Sequence, residues 1–158
     1  MKHDCTLEKA AARELADVNQ EDVAPEQIVE SSYLCAFCHM HDEEADMGNL
    51  FGPYVIKAPP LASWPAFLCD KPRSESEIAN KALKIFMHAR CALWADGLKL
   101  DGAKLEDIDE KMAFFWTKKC QICSKLGGSL KCDEGYIHYP CALRCGVKLR
   151  RGVFNCSL

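Results

Sequence analysis

No run in this chain approaches the ~18 apolar residues needed to cross a bilayer as a helix. The opening residues, Met1-Lys2-His3-Asp4-Cys5, carry no apolar core of a secretory signal. The expectation is therefore an intracellular chain among reduced thiols, with no membrane partner. No Ser/His/Asp set, phosphate loop or paired-carboxylate arrangement is visible, so the pattern predicts neither an enzyme nor a small-molecule substrate. Repeats of solenoid length are also missing. Cysteine, by contrast, is abundant, at 11 in 158 residues. That odd number fits a disulfide framework poorly, and histidines spaced with the cysteines point to metal instead.

The length allows one domain, or one domain and a tail, with a buried core. The net charge of −3 conceals an asymmetry. Residues 1–30 hold three bases (Lys2, Lys9, Arg13) against eight acids, whereas residues 111–158 hold nine bases against two acids, Asp133 and Glu134. A basic C-terminal lobe suits an anionic partner, although such a face is also often only solvated.

Along the chain, Leu7, Ala11, Leu15 and Val18 form a weak amphipathic stripe in an acidic leader, broken at Ala24-Pro25-Glu26. Between Leu50 and Arg73, Pro53, Pro59, Pro60, Pro65 and Pro72 interleave with Phe51, Tyr54, Trp64 and Phe67, which reads as an extended, irregular loop. Ser74-Glu75-Ser76-Glu77 has the form of a capping box, and Ile78, Ala82, Ile85 and Phe86 recur at helical spacing. This predicts a helix over 74–87, then a ligand turn and a short helix near Ala89–Ala95. Leu105, Ile108 and Met112 predict the apolar face of another helix. Asp96-Gly97 and Asp101-Gly102 mark turns, and Gly127-Gly128 and Gly135 punctuate a loop-rich final lobe.

The informative pattern is Cys35-Ala36-Phe37-Cys38, His88-Ala89-Arg90-Cys91, Cys120-Gln121-Ile122-Cys123 and His138-Tyr139-Pro140-Cys141. Two residues between ligands let a tight turn aim both side chains at one tetrahedral ion. Three thiolates and one imidazole then close the coordination sphere, which makes a structural zinc site. A single Cys-x-x-Cys means little in so cysteine-rich a chain, but two such pairs alternating with two His-x-x-Cys pairs are specific. The 49 residues between Cys38 and His88 are no obstacle. Loop closure costs only ~0.6 kcal/mol per doubling of length, against ~10 kcal/mol or more from a structural zinc. Cys5, Cys69 and Cys145 read as small buried hydrophobes. His39 and His41, beside Asp42, Glu43 and Glu44, read as a solvated acidic loop, with His41 a rival ligand.

In this order the ligands resemble the extended PHD finger, a C2HC zinc knuckle fused to an atypical plant homeodomain finger. The likeness runs from Cys35 to Cys156 and includes Gly48-Asn49-Leu50-Phe51-Gly52-Pro53-Tyr54, His88-Ala89-Arg90-Cys91-Ala92-Leu93-Trp94 and Ile137-His138-Tyr139-Pro140-Cys141-Ala142. The resemblance implies a small zinc-stabilised α+β fold with few helices and short strands, the knuckle packed on a cross-brace finger. Residues 1–30 read as the acidic leader, partly disordered, and the resemblance implies a knuckle with proline-rich insert and linking helix at 31–117 and a PHD-like finger at 118–158. Cys35, Cys38, His88 and Cys91 would hold one Zn2+, and Cys120, Cys123, His138 and Cys141 a second. A third ion would use Cys132 and Cys156, but the cysteine expected before His138 is missing and the sequence ends at Leu158. Cys145 or Asp133 are the substitutes at hand. The lobe is then a degenerate finger or a truncated one.

The resemblance also implies a nuclear, chromatin-associated module contacting histone, nucleosomal DNA or regulatory proteins. Lys118, Lys119, Lys148, Arg150 and Arg151 make a positive face suited to phosphates. A RING-like scaffold of a ubiquitin ligase, or a pure adaptor using Trp64 and Phe67 or the leader, are the alternatives. Phe114, Phe115, Trp116, Tyr136 and Tyr139 are better placed to pack beneath the zinc loops than to build a methyl-lysine cage.

Overall fold

Ala82-Leu83-Lys84-Ile85-Phe86-Met87-His88 alternates in burial, with Leu83, Ile85 and Met87 wholly inside and Lys84 and Phe86 half-buried on the other face. That is the period of a strand, not of a helix. In the computed structural model, which describes residues 24–101, 104–147 and 149, the helix read over 74–87 is therefore replaced by two elements. A single helical turn, α1 (Glu75–Ile78), is followed by strand β3 (Ala82–His88). Asn80, at φ 62°, turns the chain between them. The capping box does not form: Ser74 gives no side-chain cap, and the Glu77 carboxylate accepts the amide of Arg73, one residue before the cap, at 2.9 Å.

Strand β3 lies at the centre of a three-stranded sheet, between β1 (Ile28–Val29), which is parallel to it, and β2 (Leu50–Lys57), which is antiparallel. The proline-rich stretch after Leu50 thus opens with an eight-residue strand. Its ladder runs from Leu50 opposite His88 to Lys57 opposite Ala82, with an irregularity between Phe51 and Tyr54. Gly52 allows that irregularity. Its φ is +138°, and a Cβ there would stand 2.8 Å from the Ile85 carbonyl.

After β3 come α2 (Ala89–Leu93), the hairpin β4 (Lys99–Asp101) and β5 (Lys104–Glu106), and α3 (Ile108–Phe115). The predicted apolar face is real, but Leu105 belongs to β5, and the helix buries Ile108, Met112 and Phe115. A second hairpin, β6 (Leu130–Cys132) with β7 (Gly135–Ile137), leads to α4 (Tyr139–Arg144). The result is a small α+β fold of short elements. Among the described residues no helix is long and apolar enough to cross a membrane.

One apolar core runs through both halves. Tyr54, Ile56, Leu83, Ile85 and Met87 from the sheet join Phe37, Met112, Phe115, Trp116, Leu130 and Ile137. Each such side chain contributes ~1.5–3 kcal/mol when removed from water. The metal-bearing turns rest on this core.

Candidate metal centres

The same backbone arrangement occurs twice. Cys35 bridges to Phe86 and Cys120 to Tyr136, in each case two residues before the histidine. Within each Cys-x-x-Cys turn the first cysteine's amide bonds five residues ahead, Cys35 to the Met40 carbonyl at 2.9 Å and Cys120 to the Lys125 carbonyl at 2.8 Å. The residue after the second cysteine, His39 or Ser124, has φ of 66° in both. Each histidine ends an extended run and caps a short helix, His88 before α2 and His138 before α4. The sequence echo is therefore a duplicated structural unit: a knuckle turn held against a strand, then a helix that returns the fourth ligand.

These turns bring Cys35, Cys38, His88 and Cys91 together, and separately Cys120, Cys123, His138 and Cys141, with the ligand atoms of each set within 4.8 Å of one another. A tetrahedral zinc with Zn–S of ~2.3 Å and Zn–N of ~2.0 Å requires edges of about 3.5 Å between nitrogen and sulfur and about 3.8 Å between two sulfurs. In the first set His88 Nδ1 lies 3.3 Å from Cys38 Sγ and 4.0 Å from Cys91 Sγ. In the second, His138 Nδ1 lies 3.2 Å from Cys123 Sγ and 3.8 Å from Cys141 Sγ. The donor sets fit the ion.

The supporting hydrogen bonds agree with the ligand roles. His88 Nε2 donates to the His41 carbonyl at 3.1 Å, and His138 Nε2 to the Leu126 carbonyl at 3.0 Å. Each bond places the proton on Nε2 and leaves the Nδ1 lone pair for metal. The His88 and His138 amides donate to Cys35 Sγ and Cys120 Sγ, both at 3.4 Å. Arg144 adds a guanidinium N–H to Cys141 Sγ at 3.3 Å.

Electrostatics make the same case. Burial opposes ionisation of Cys35, yet hydrogen bonds from Cys38, Cys91 and His88 outweigh it and hold this thiol well below its ordinary value. Burial, and then Cys35 and Cys38, push Cys91 up. In the second set the Cys141 thiol, donating to Cys120, holds Cys120 at about 2 and is itself raised. A second thiolate beside the first is unfavourable until a divalent cation supplies the opposing charge. None of the nine described cysteines is joined in a disulfide. Two Cys3His clusters, compatible with two Zn2+ ions, therefore organise the chain. Both are zinc-finger-like modules.

Among curated proteins, the chain is 30% identical over 82 residues to retinoic acid-induced protein 1 of Homo sapiens. That stretch is 49% of this chain but 4% of the relative, so the chain spans a small fraction of that protein's length. No protein-family model matches the chain, and no solved structure matches it.

The remaining candidates are placed unevenly. Cys132 is buried at the end of β6 and belongs to neither cluster, and Cys156 lies outside the described residues. Lys118 and Lys119 flank the second cluster, whereas Lys148, Arg150 and Arg151 lie outside the described residues, as does Cys5. Cys145, expected inside, is exposed at the end of α4, because its position follows the last buried turn of that helix. Cys69 is half-buried.

His39 corrects the reading of a solvated acidic loop. Its ring is half-buried, stacks on Phe67 at 3.6 Å, and donates from Nε2 to the Leu126 carbonyl that also receives His138. Trp116, expected to pack beneath the zinc loops, is buried, and its indole N–H donates to the Ala36 carbonyl, inside the first knuckle turn, at 2.9 Å. The His39 bond joins the two units and the Trp116 bond ties the end of α3 to the first knuckle turn, spanning 87 and 80 residues of chain, distances over which local spacing carries no signal.

Proposed function

We propose that this chain is a nuclear, chromatin-associated interaction module, built as a C2HC knuckle over 31–117 and an atypical PHD-like finger over 118–158. The single observation that carries the reading is the pair of closed Cys3His clusters on one shared core. Four protein donors leave zinc no open position for a substrate, so the metal serves architecture and the work falls to the surface. On this reading the chain is not a catalyst. The 30% identity over 82 residues supports a module that recurs within a much longer protein.

Nucleosomal DNA is the partner best matched by charge. Lys118 and Lys119 stand beside the second cluster, and Lys148, Arg150 and Arg151 follow it in sequence. Such cations bind phosphate without reading bases, releasing counterions as they do. The test is titration of the zinc-loaded full chain with nucleosomal duplex over a salt series, with histone-tail peptides in parallel. Affinity for duplex falls steeply with salt, and neutralising Lys148, Arg150 and Arg151 together weakens it. Unchanged affinity after that neutralisation removes DNA as the partner, and saturable binding of a histone peptide alone assigns the module to histone.

A further inference from the structure

Neither cluster uses the side chains where α3 meets β7. Phe114, 41% exposed, meets Tyr136 of β7 edge to face, with centroids 5.6 Å apart and planes at 80°. Both rings also touch Phe115, at 5.8 and 6.5 Å, and Phe115 is wholly buried. Exposed Phe114 and half-buried Tyr136 are thus anchored to the core. Lys118 holds its Nζ 4.7 Å from the Phe114 centroid and 5.8 Å from that of Tyr136. Lys131 is exposed directly across the β6–β7 ladder from Tyr136, which puts the two on one face of the hairpin. Lys119, next in the chain, is also exposed.

Aromatic rings beside amines suit two ligands. One is a methylated ammonium enclosed by rings; the other is a nucleobase stacked on a ring with its phosphate on a lysine. Here the second fits better. A cage needs walls on several sides, whereas the third ring is buried and the other two already receive the chain's own ammonium. Residues 118–151 carry eight bases against Asp133 and Glu134, which disfavours a further cation. Asp96, close enough to act on Tyr136, does not reverse that balance. An exposed cation–π contact is worth roughly two- to fivefold in an equilibrium, and a stacked base roughly five- to a hundredfold. Exchanging one for the other favours the base.

We propose that Phe114, Tyr136, Lys118 and Lys131 form a binding surface for single-stranded nucleic acid. A base stacks on Phe114, the Lys118 ammonium moves from the ring to the neighbouring phosphate, and Lys131 takes a flanking one. This goes beyond the chromatin reading, because it concerns unpaired bases rather than the backbone of a duplex.

The test is fluorescence anisotropy of the zinc-loaded full chain with a short oligothymidylate, an oligouridylate of equal length and a duplex. Both single strands bind more tightly than the duplex, and their relative affinity identifies DNA or RNA as the preferred form. Phe114→Ala weakens single-strand binding roughly 5- to 20-fold and leaves duplex binding within about twofold. Phe114→Leu, which keeps apolar bulk without a π face, gives the same loss, and native mass spectrometry verifies that both variants keep their zinc. Lys118→Ala lowers the salt slope for single strands by about 0.7. Full affinity in Phe114→Leu, equal losses on single strand and duplex, or displacement of the oligonucleotide by a trimethyl-lysine peptide would each overturn the proposal. The duplex arm reports separately on the chromatin reading.

Discussion

Replacing Gly127 with alanine probes the junction of the two zinc units at one atom. Gly127 has φ of +97°, and a Cβ added there would stand 2.4 Å from the Phe37 carbonyl oxygen and 3.3 Å from its carbon. The left-handed backbone alone costs an L-residue ~1–2 kcal/mol. The clash adds ~1–3 kcal/mol, the usual cost of overpacking, because neither side can yield. Phe37 lies inside the first knuckle turn, and Gly127 is tied by its amide to the Lys118 carbonyl at 3.0 Å. The expected total is therefore about 3 kcal/mol. Gly48 supplies the control, since its φ is +78° and nothing lies within 4 Å of an added Cβ. Gly48→Ala should show only the backbone cost, about 1 kcal/mol. Guanidinium unfolding at fixed free zinc, followed by tryptophan fluorescence, measures both. Each cluster keeps its ligands in Gly127→Ala, so native mass spectrometry should still count two ions. If Gly127→Ala proves no more destabilising than Gly48→Ala, the close approach of the knuckles is not what joins the units.

Three other outcomes follow from the same geometry. Maleimide should label exposed Cys145 first without releasing zinc, then the second cluster, where Cys123 is only half-buried, and last the wholly buried first cluster; earlier labelling of Cys35, Cys38 and Cys91 in peptide mapping would contradict that order. Trp116→Phe removes the donor to the Ala36 carbonyl and should cost about 1–3 kcal/mol in the same unfolding assay; a loss below 0.5 kcal/mol, within the ordinary scatter of neutral substitutions, would mean that this bond does not hold the first knuckle. Burial holds the His39 imidazole below its ordinary 6.5, although the bond to the Leu126 carbonyl pulls the other way. Unfolded His39 therefore takes a proton as pH falls through 6.5 while the folded protein resists, so its contribution is complete above that pH and shrinks below it. The stability advantage of the parent over His39→Gln should narrow as pH drops from about 7.5 to about 5.5, and a constant difference would refute the assignment.

The ligand sets were legible in the sequence because their chemistry is local. A Cys-x-x-Cys turn and a His-x-x-Cys start of a helix each bring two donors to one side within four residues, and three sulfurs with one imidazole suit a structural zinc. The apolar face of α3 was legible for a similar reason, through Ile108 and Met112. Residues 82–88 were not. Their apolar positions satisfy helical spacing through Ala82, Ile85 and Phe86 and strand alternation through Leu83, Ile85 and Met87. Pairing with Ile28–Val29 on one side and Leu50–Lys57 on the other resolves the ambiguity, and those partners lie tens of residues away. The joining of the units belongs to tertiary structure as well. His39 is ordinary in sequence, and it acquires a role only when folding sets the Leu126 carbonyl before its ring N–H. Ligand spacing encodes which side chains share an ion; only long-range packing sets where each cluster stands relative to the other.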